Sequence, residues 1–152
     1  MSIRVKNARR TMNYHFYLNQ KRISAPQASA MDEYAKRLTA YCKTQRFLQP
    51  KNHITEILSS LAPSPHTLWI QIITSTDTPT SEELSSYVNQ ISVEGFSTVC
   101  FFLGYEGIPD EAMKVNTLSL TSFHFSTEML GVLLYEQLYR SYRILNNQPY
   151  HK

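Results

Sequence analysis

Apolar and polar positions alternate along the chain in blocks that predict strands and helices in turn. Three short runs rich in aromatic or branched residues are bounded by polar residues: Tyr14 to Leu18, Leu68 to Ile73 and Thr98 to Leu103. The last two are nearly continuous apolar runs, which are typical of strands covered on both faces of a parallel sheet. A short apolar stretch around Phe47 predicts a further strand, and Leu118 to Phe125 alternates like another.

Between these runs, apolar residues recur at helical spacing in four segments. Their predicted bounds are Ser24 to Cys42, Asn52 to Leu61, Thr80 to Gly95 and Thr127 to Leu145. The first has Pro26 in its first turn, and the third opens with a capping box in which Glu83 follows Thr80 by three residues. A short helix is also predicted from Pro109 to Lys114.

Strands that alternate with helices predict an α/β fold with a mostly parallel sheet flanked by helices. A chain of 152 residues with 42% hydrophobic residues fits one domain, which we place at residues 14–152. The preceding leader, residues 1–13, is basic because it contains Arg4, Lys6, Arg9 and Arg10. We expect it to be a flexible solvated tail, with an arm that contacts phosphates as the alternative.

Several classes of protein are disfavoured by the sequence. It contains no apolar run long enough to cross a membrane and no secretory signal, so we expect a cytoplasmic protein without a membrane partner. Cys42 and Cys100 stand alone and read as buried hydrophobic residues rather than a disulfide. The five histidines show no metal-ligand spacing, and we therefore expect no metal.

Two segments could carry chemistry. In LGYEGIPDE, Gly104 and Gly107 directly follow a buried strand, where parallel sheets bind ligands, although a plain turn also accounts for them. The C-terminal run EQLYRSYRILNNQPYHK interleaves tyrosines with basic residues and could stack bases and hold phosphates. The alternative is that Tyr142 packs in the core while the arginines are solvated. The net charge of +3 is compatible with a nucleic-acid partner.

The C-terminal segments EQLYRSYRI and NQPYHK resemble the signature of the RlmH-type SPOUT methyltransferases. The segments DEYAKRLTAY, LWIQI, DTPTSEEL and FFLGYEGI are similar to other parts of that family, so the resemblance runs from about Tyr14 to Lys152. It implies a SPOUT-type α/β knot, with a deep trefoil knot near the C terminus, and a homodimer. It also implies S-adenosylmethionine as cofactor and methylation of N3 of a pseudouridine in large-subunit (23S) ribosomal RNA, or a divergent RNA target.

The resemblance also assigns residues to the site. The cofactor would be bound by Ile70, Gly104, Leu120, Thr121, Ser122, Phe123, His124 and Phe125. The target nucleotide would be faced by Arg140, Tyr150 and His151. Because the reference pKa of histidine is near neutrality, we expect His151 to act as the base or to hydrogen-bond the uracil edge.

The chain departs from the family pattern at several places. Tyr105 stands where the family has a small residue and could crowd a cofactor, and Ser126, Thr127 and Gly131 occupy positions at which the family has Pro, His and Arg. The alternative hypothesis is therefore a catalytically inactive paralogue that binds RNA or protein as a knotted dimer.

Overall fold

The computed structural model describes residues 11–149, which contain five strands and four α-helices. The strands are β1 (Met12–Leu18), β2 (Cys42–Leu48), β3 (Thr67–Ile73), β4 (Thr98–Leu103) and β5 (Val115–Ser119). The helices are α1 (Ala25–Leu38), α2 (Ile54–Ser59), α3 (Ser81–Val93) and α4 (Thr127–Leu145).

All five strands are parallel, in the order β2-β1-β4-β3-β5. The predicted α/β fold with a mostly parallel sheet is therefore confirmed. Between β4 and β5 the chain crosses β3, which lies between them in the sheet. The trefoil knot stays a prediction. Because the strands run the same way, their C-terminal ends lie along one side of the sheet, here called the carboxyl edge, and their N-terminal ends along the opposite amino edge.

The two faces of the sheet are covered unequally. The first face packs against α1, α3 and α4 and forms the larger core, in which the rings of Phe16 and Tyr135 stack with their centroids 4.0 Å apart. The second face packs against α2, with Trp69 and Phe102 in edge contact below it. Side chains of β3 and β4 are buried on both faces, as their apolar runs predicted.

Helix caps follow the sequence closely for the last two helices. The predicted capping box of α3 is present, since Thr80 accepts from the N–H of Glu83 while the Glu83 carboxylate accepts from the N–H of Thr80. The Ser126 hydroxyl accepts from the N–H of Met129 and caps α4, whose predicted bounds are confirmed.

Two predicted helices are too long. The first ends at Leu38, and Cys42 is the first residue of β2, so the helical spacing of the last apolar residues was misleading. The second begins after His53, whose ring accepts from the N–H of Thr55, and not after Asn52; it ends at Ser59, short of Leu61.

The predictions between β4 and α4 also need correction. The strand lies at Val115–Ser119, and residues 120–126 have no regular secondary structure, so the predicted strand from Leu118 to Phe125 is largely wrong. The apolar positions 118 and 120 have the opposite parity from 123 and 125, so one strand could not place all four on one face. The helix predicted from 109 to 114 is a single 3-10 turn, Glu111–Met113.

The boundary of the predicted leader also moves. Met12 and Asn13 belong to β1, and Asn13 is tied to Ser97 by a backbone hydrogen bond of 3.0 Å. Residues 1–10 lie outside the described residues, so both hypotheses for the leader stay predictions.

Cys42 and Cys100 are buried free thiols, as predicted. Within residues 11–149, no group of three or more His, Cys, Asp or Glu side chains comes together in a way that could hold a metal ion. None of the helices in this range is both long and apolar enough to cross a membrane.

Candidate functional site

The loop that follows β4, residues 104–107, lies at the centre of the carboxyl edge. Gly104 begins it with φ of +84°, a conformation that side-chain-bearing residues rarely adopt. A Cβ at this position would lie 2.1 Å from Oγ1 of Thr127. The absence of a side chain at Gly104 is therefore what lets the first turn of α4 rest directly on the loop.

All four carbonyl groups of loop 104–107 accept hydrogen bonds from the body of the protein. Asn19 Nδ2 donates to the carbonyl of Gly104 at 3.0 Å, and the Ile54 N–H donates to that of Glu106 at 2.8 Å. Gln71 Nε2 donates to the carbonyls of both Tyr105 and Gly107, at 3.2 and 3.1 Å. By contrast, the N–H groups of residues 105–107 donate to no other residue within 11–149. The loop thus holds its acceptors inward and leaves its donors for a ligand or solvent.

Asn19 and His53 join this loop to its neighbours. The side-chain oxygen of Asn19, Oδ1, accepts from the N–H of Lys51 at 2.8 Å. Because its Nδ2 donates to Gly104, this one side chain links the segments that follow β1, β2 and β4. A Cβ at Gly107 would lie 1.8 Å from Nε2 of His53, the residue that caps α2. The N-terminal ends of α2 and α4 therefore enclose the loop from two sides.

Tyr105 is turned into the protein. Its side chain is buried, its hydroxyl donates to the carbonyl of Gln49 at 2.6 Å, and its ring meets the edge of Phe102. Burial raises the pKa of its hydroxyl, which stays protonated at neutral pH. The expectation that Tyr105 crowds a cofactor is corrected, because its ring packs in the core between α2 and the second face of the sheet.

The segment that follows β5, residues 120–126, is anchored at its two ends, by Ser119 before it and by Ser126, which caps α4. The buried hydroxyl of Ser119 lies 3.1 Å from the carbonyls of both Ser75 and Thr121, which connects the segments after β3 and β5. Beyond this point, Phe123 is 71% exposed and Phe125 is 47% exposed. Two large apolar side chains in solvent at a strand end are typical of a surface that is covered by a ligand or a partner.

Gly131, which stands where the family has an arginine, serves close packing in α4. A Cβ there would lie 2.9 Å from the terminal methyl of Met31. The glycine thus lets α1 and α4 approach each other, and Glu128 joins the same two elements through hydrogen bonds from the backbone and hydroxyl of Ser24. These bonds lower the pKa of the Glu128 carboxyl.

The predicted site residues fall into three groups. Gly104 and residues 120–125 (Leu120, Thr121, Ser122, Phe123, His124 and Phe125) follow β4 and β5 and lie at the carboxyl edge. Ile70 does not join them, because its side chain has no exposed area in the middle of β3. Tyr150 and His151 lie outside the described residues.

Arg140 is half-buried on α4, far from the carboxyl edge of its own chain. Thr127 rests on Gly104, and Arg140 lies roughly 20 Å further along the helix, at 1.5 Å per residue. Tyr142 packs against the larger core, and its hydroxyl is 2.7 Å from that of Tyr14. Arg143 bonds Tyr41 and Pro149. The C-terminal run is therefore partly structural.

Sequence reasoning missed Asn19, Gln71 and His53, which shape the loop. A signal existed for Gln71, since it is the one polar residue inside the apolar run LWIQII. No comparable signal marks Asn19 or His53, because their partners are distant in sequence.

The chain matches a family described as predicted SPOUT methyltransferase over residues 12–151. A similar protein from Thermoanaerobacter sp., named Ribosomal RNA large subunit methyltransferase H 1, is 30% identical over 148 residues, which cover 93% of this chain and 100% of the relative. Proteins named Ribosomal RNA large subunit methyltransferase H from Exiguobacterium sp. and Finegoldia magna are 32% and 28% identical over 140 residues, covering 79% of this chain and 87% of each relative.

Proposed function

Because the chain belongs to the SPOUT methyltransferase family, we propose that it transfers the methyl group of S-adenosylmethionine to N3 of a pseudouridine in large-subunit ribosomal RNA. One observation carries the proposal: relatives that match 93% and 79% of this chain are named ribosomal RNA large subunit methyltransferases. The substrate is the ribosomal RNA or the ribosome that contains it.

The carboxyl edge fits the cofactor. Loop 104–107 directs N–H donors away from the protein body, and these can bond the nitrogen and oxygen acceptors of an adenosyl group. Phe123 and Phe125 offer exposed aromatic faces in the segment that follows β5. Tyr105, packed inward, leaves this surface open. We assign cofactor binding to Gly104 and residues 120–125.

The arrangement of one chain supports a homodimer. Gln148 and Arg143 both bond the hydroxyl of Tyr41, which directly precedes β2 at the amino edge. A strand of this length separates the two edges by about 20 Å. Pro149, the last described residue, accepts from Arg143 at this same edge, so the described chain ends about 20 Å from Gly104 at the opposite edge. A second copy would therefore supply Arg140, Tyr150 and His151 to each cofactor.

Bound S-adenosylmethionine supplies an electrophilic sulfonium methyl group. The protein then has to align N3 with that methyl group and remove the N3 proton, which we assign to His151. Arg140 and Tyr150 would position the nucleotide through its phosphate and its base. Replacing His151 with Ala should slow methyl transfer at least tenfold, and unchanged turnover would remove it from the mechanism.

Cofactor binding is the first test, by calorimetry and thermal shift on the full chain. At a hundred times the dissociation constant, the ligand should stabilise the protein by about 2.7 kcal/mol, or about 5 to 10 °C in melting temperature. ATP, which shares the adenosyl group but lacks the methionine, serves as the control. No heat and no shift at millimolar S-adenosylmethionine would contradict the proposal.

The RNA target is tested with labelled cofactor and three substrates: large ribosomal subunits, free large-subunit RNA, and paired oligonucleotides that contain pseudouridine or uridine. We expect label only where pseudouridine is present. Equal labelling of the uridine oligonucleotide would refute the choice of target while leaving the methyltransferase activity intact.

A further inference from the structure

Gln71 is an unusual residue for its position in the sheet. It lies in β3 between apolar neighbours and is only 4% exposed. Burial of an amide costs free energy unless its hydrogen bonds are made. An apolar residue would fill the same space without that requirement, so the polar group has a use that packing alone does not explain.

Its partners identify that use. Both hydrogen bonds from Nε2 go to loop 104–107, to the carbonyls of Tyr105 and Gly107. Among residues 11–149 the other buried polar side chains are serines; Ser85 and Ser141 bond within their own helices, and Ser119 bonds the segments after β3 and β5. Gln71 thus holds the loop after β4 without bonding any helix or strand through its side chain.

We propose that Gln71 is a positioning residue that fixes loop 104–107 in the shape that binds the cofactor. The inference rests on the proposed function. A carbonyl that is held inward turns the N–H of the next residue outward, because these two groups belong to one peptide unit and point in opposite directions across its plane. By holding the carbonyls of Tyr105 and Gly107, Gln71 directs the N–H groups of Glu106 and Ile108 away from the protein. Binding should then depend on the amide of Gln71, although the amide itself does not touch the ligand.

The test compares S-adenosylmethionine affinity in Gln71→Met and Gln71→Glu at pH 8. Met keeps the volume but loses the donor, and we expect the dissociation constant to rise at least tenfold. Glu matches the shape of Gln more closely, yet it places a carboxylate against two carbonyl oxygens, and we expect a larger loss. A residue that served only packing would leave the dissociation constant of Gln71→Met unchanged, because Met fills nearly the same volume.

Ser141→Ala is the matched control, since it removes another buried hydrogen bond to a backbone carbonyl far from the loop. It should lower the melting temperature by a few degrees and leave the dissociation constant within twofold of wild type. If Gln71→Met does not fold, Gln71→Asn, which withdraws the amide by one methylene, gives the same comparison.

The outcomes separate the two proposals. Wild-type binding with a dissociation constant that stays within twofold in Gln71→Met would overturn the role of Gln71 and leave the methyltransferase function standing. Absence of binding by the wild-type chain would overturn the proposed cofactor and this inference with it. The positioning role would be established if wild type binds most tightly, Gln71→Met more weakly and Gln71→Glu most weakly, while Ser141→Ala binds like wild type.

Discussion

The two segments at the carboxyl edge differ in how the protein holds them. Loop 104–107 has every carbonyl bonded to another part of the chain, and its first glycine lies under Thr127. Residues 120–126 are tied at their base by Ser119, and their two phenylalanines project into solvent. The first segment is shaped by the fold itself, while the second presents apolar surface that a ligand or a second copy would cover. The carboxyl edge thus carries one segment that the fold fixes and one that leaves apolar side chains in solvent.

The largest expected effect tests how tightly loop 104–107 is built in. Gly104→Ala should destabilise the protein by about 3 kcal/mol, since positive φ is unfavourable for Ala and the new methyl overlaps Thr127. Urea unfolding measures the change.

Gly95 provides the control for that experiment, because it has φ of +98° and a methyl group added there would meet no atom within 4 Å. Gly95→Ala should cost only about 1 kcal/mol. Adding Thr127→Ala to Gly104→Ala should recover part of the loss. Equal costs at the two glycines would mean that the contact between loop and helix contributes nothing.

A smaller effect is expected from the side chain that links three segments. Asn19→Ala removes the donor to Gly104 and the acceptor for Lys51, and should lower the free energy of unfolding by about 2 kcal/mol. Asn116→Ala, which removes an exposed bond to Tyr87, should change it by less than about 0.5 kcal/mol. If both substitutions had the same effect in urea unfolding, Asn19 would not hold the edge together.

Substitutions in residues 120–126 should affect cofactor binding more than stability. Phe123→Ala is expected to change the free energy of unfolding by less than about 0.5 kcal/mol, because the ring is largely in solvent, but to weaken S-adenosylmethionine binding several-fold. Val93, which is 75% exposed on α3, supplies the control, and Val93→Ala should alter neither quantity. A loss of about 2 kcal/mol in Phe123→Ala would show that this segment is as firmly built in as loop 104–107.

The smallest expected effect concerns the two cysteine thiols, which should not react in the native protein. Cys100 lies in the strand that leads into loop 104–107, and burial raises the pKa of its thiol to about 12, as it does for Cys42. At pH 8 both thiols are protonated and inaccessible, so a disulfide reagent should label neither in the native protein and both in urea. Rapid labelling of Cys100 under native conditions would mean that β4 and loop 104–107 open readily.

The sequence predicted the parts of the fold that depend on burial and on local capping. Continuous apolar runs located β3 and β4, and Thr80 with Glu83 located the start of α3. It failed where no stop signal exists, as after Leu38, and where apolar residues are exposed instead of packing in the core, as at Phe123. At the site, Gly104 could be foreseen from its place after a buried strand. The partners of Asn19 and His53 could not, because only the folded chain brings them together.

The strand order also dictates when the site can exist. β1 pairs with β4, which is more than half the chain away, and β3 gains its second neighbour only when β5 has been made. Thr127, which closes over Gly104, comes later still. Pairing between such distant segments is slow, and during synthesis it must wait for most of the polypeptide to emerge. A truncated product that ends before α4 would therefore lack the contact that Thr127 makes over Gly104, and the complete carboxyl edge should form only in a late step of folding.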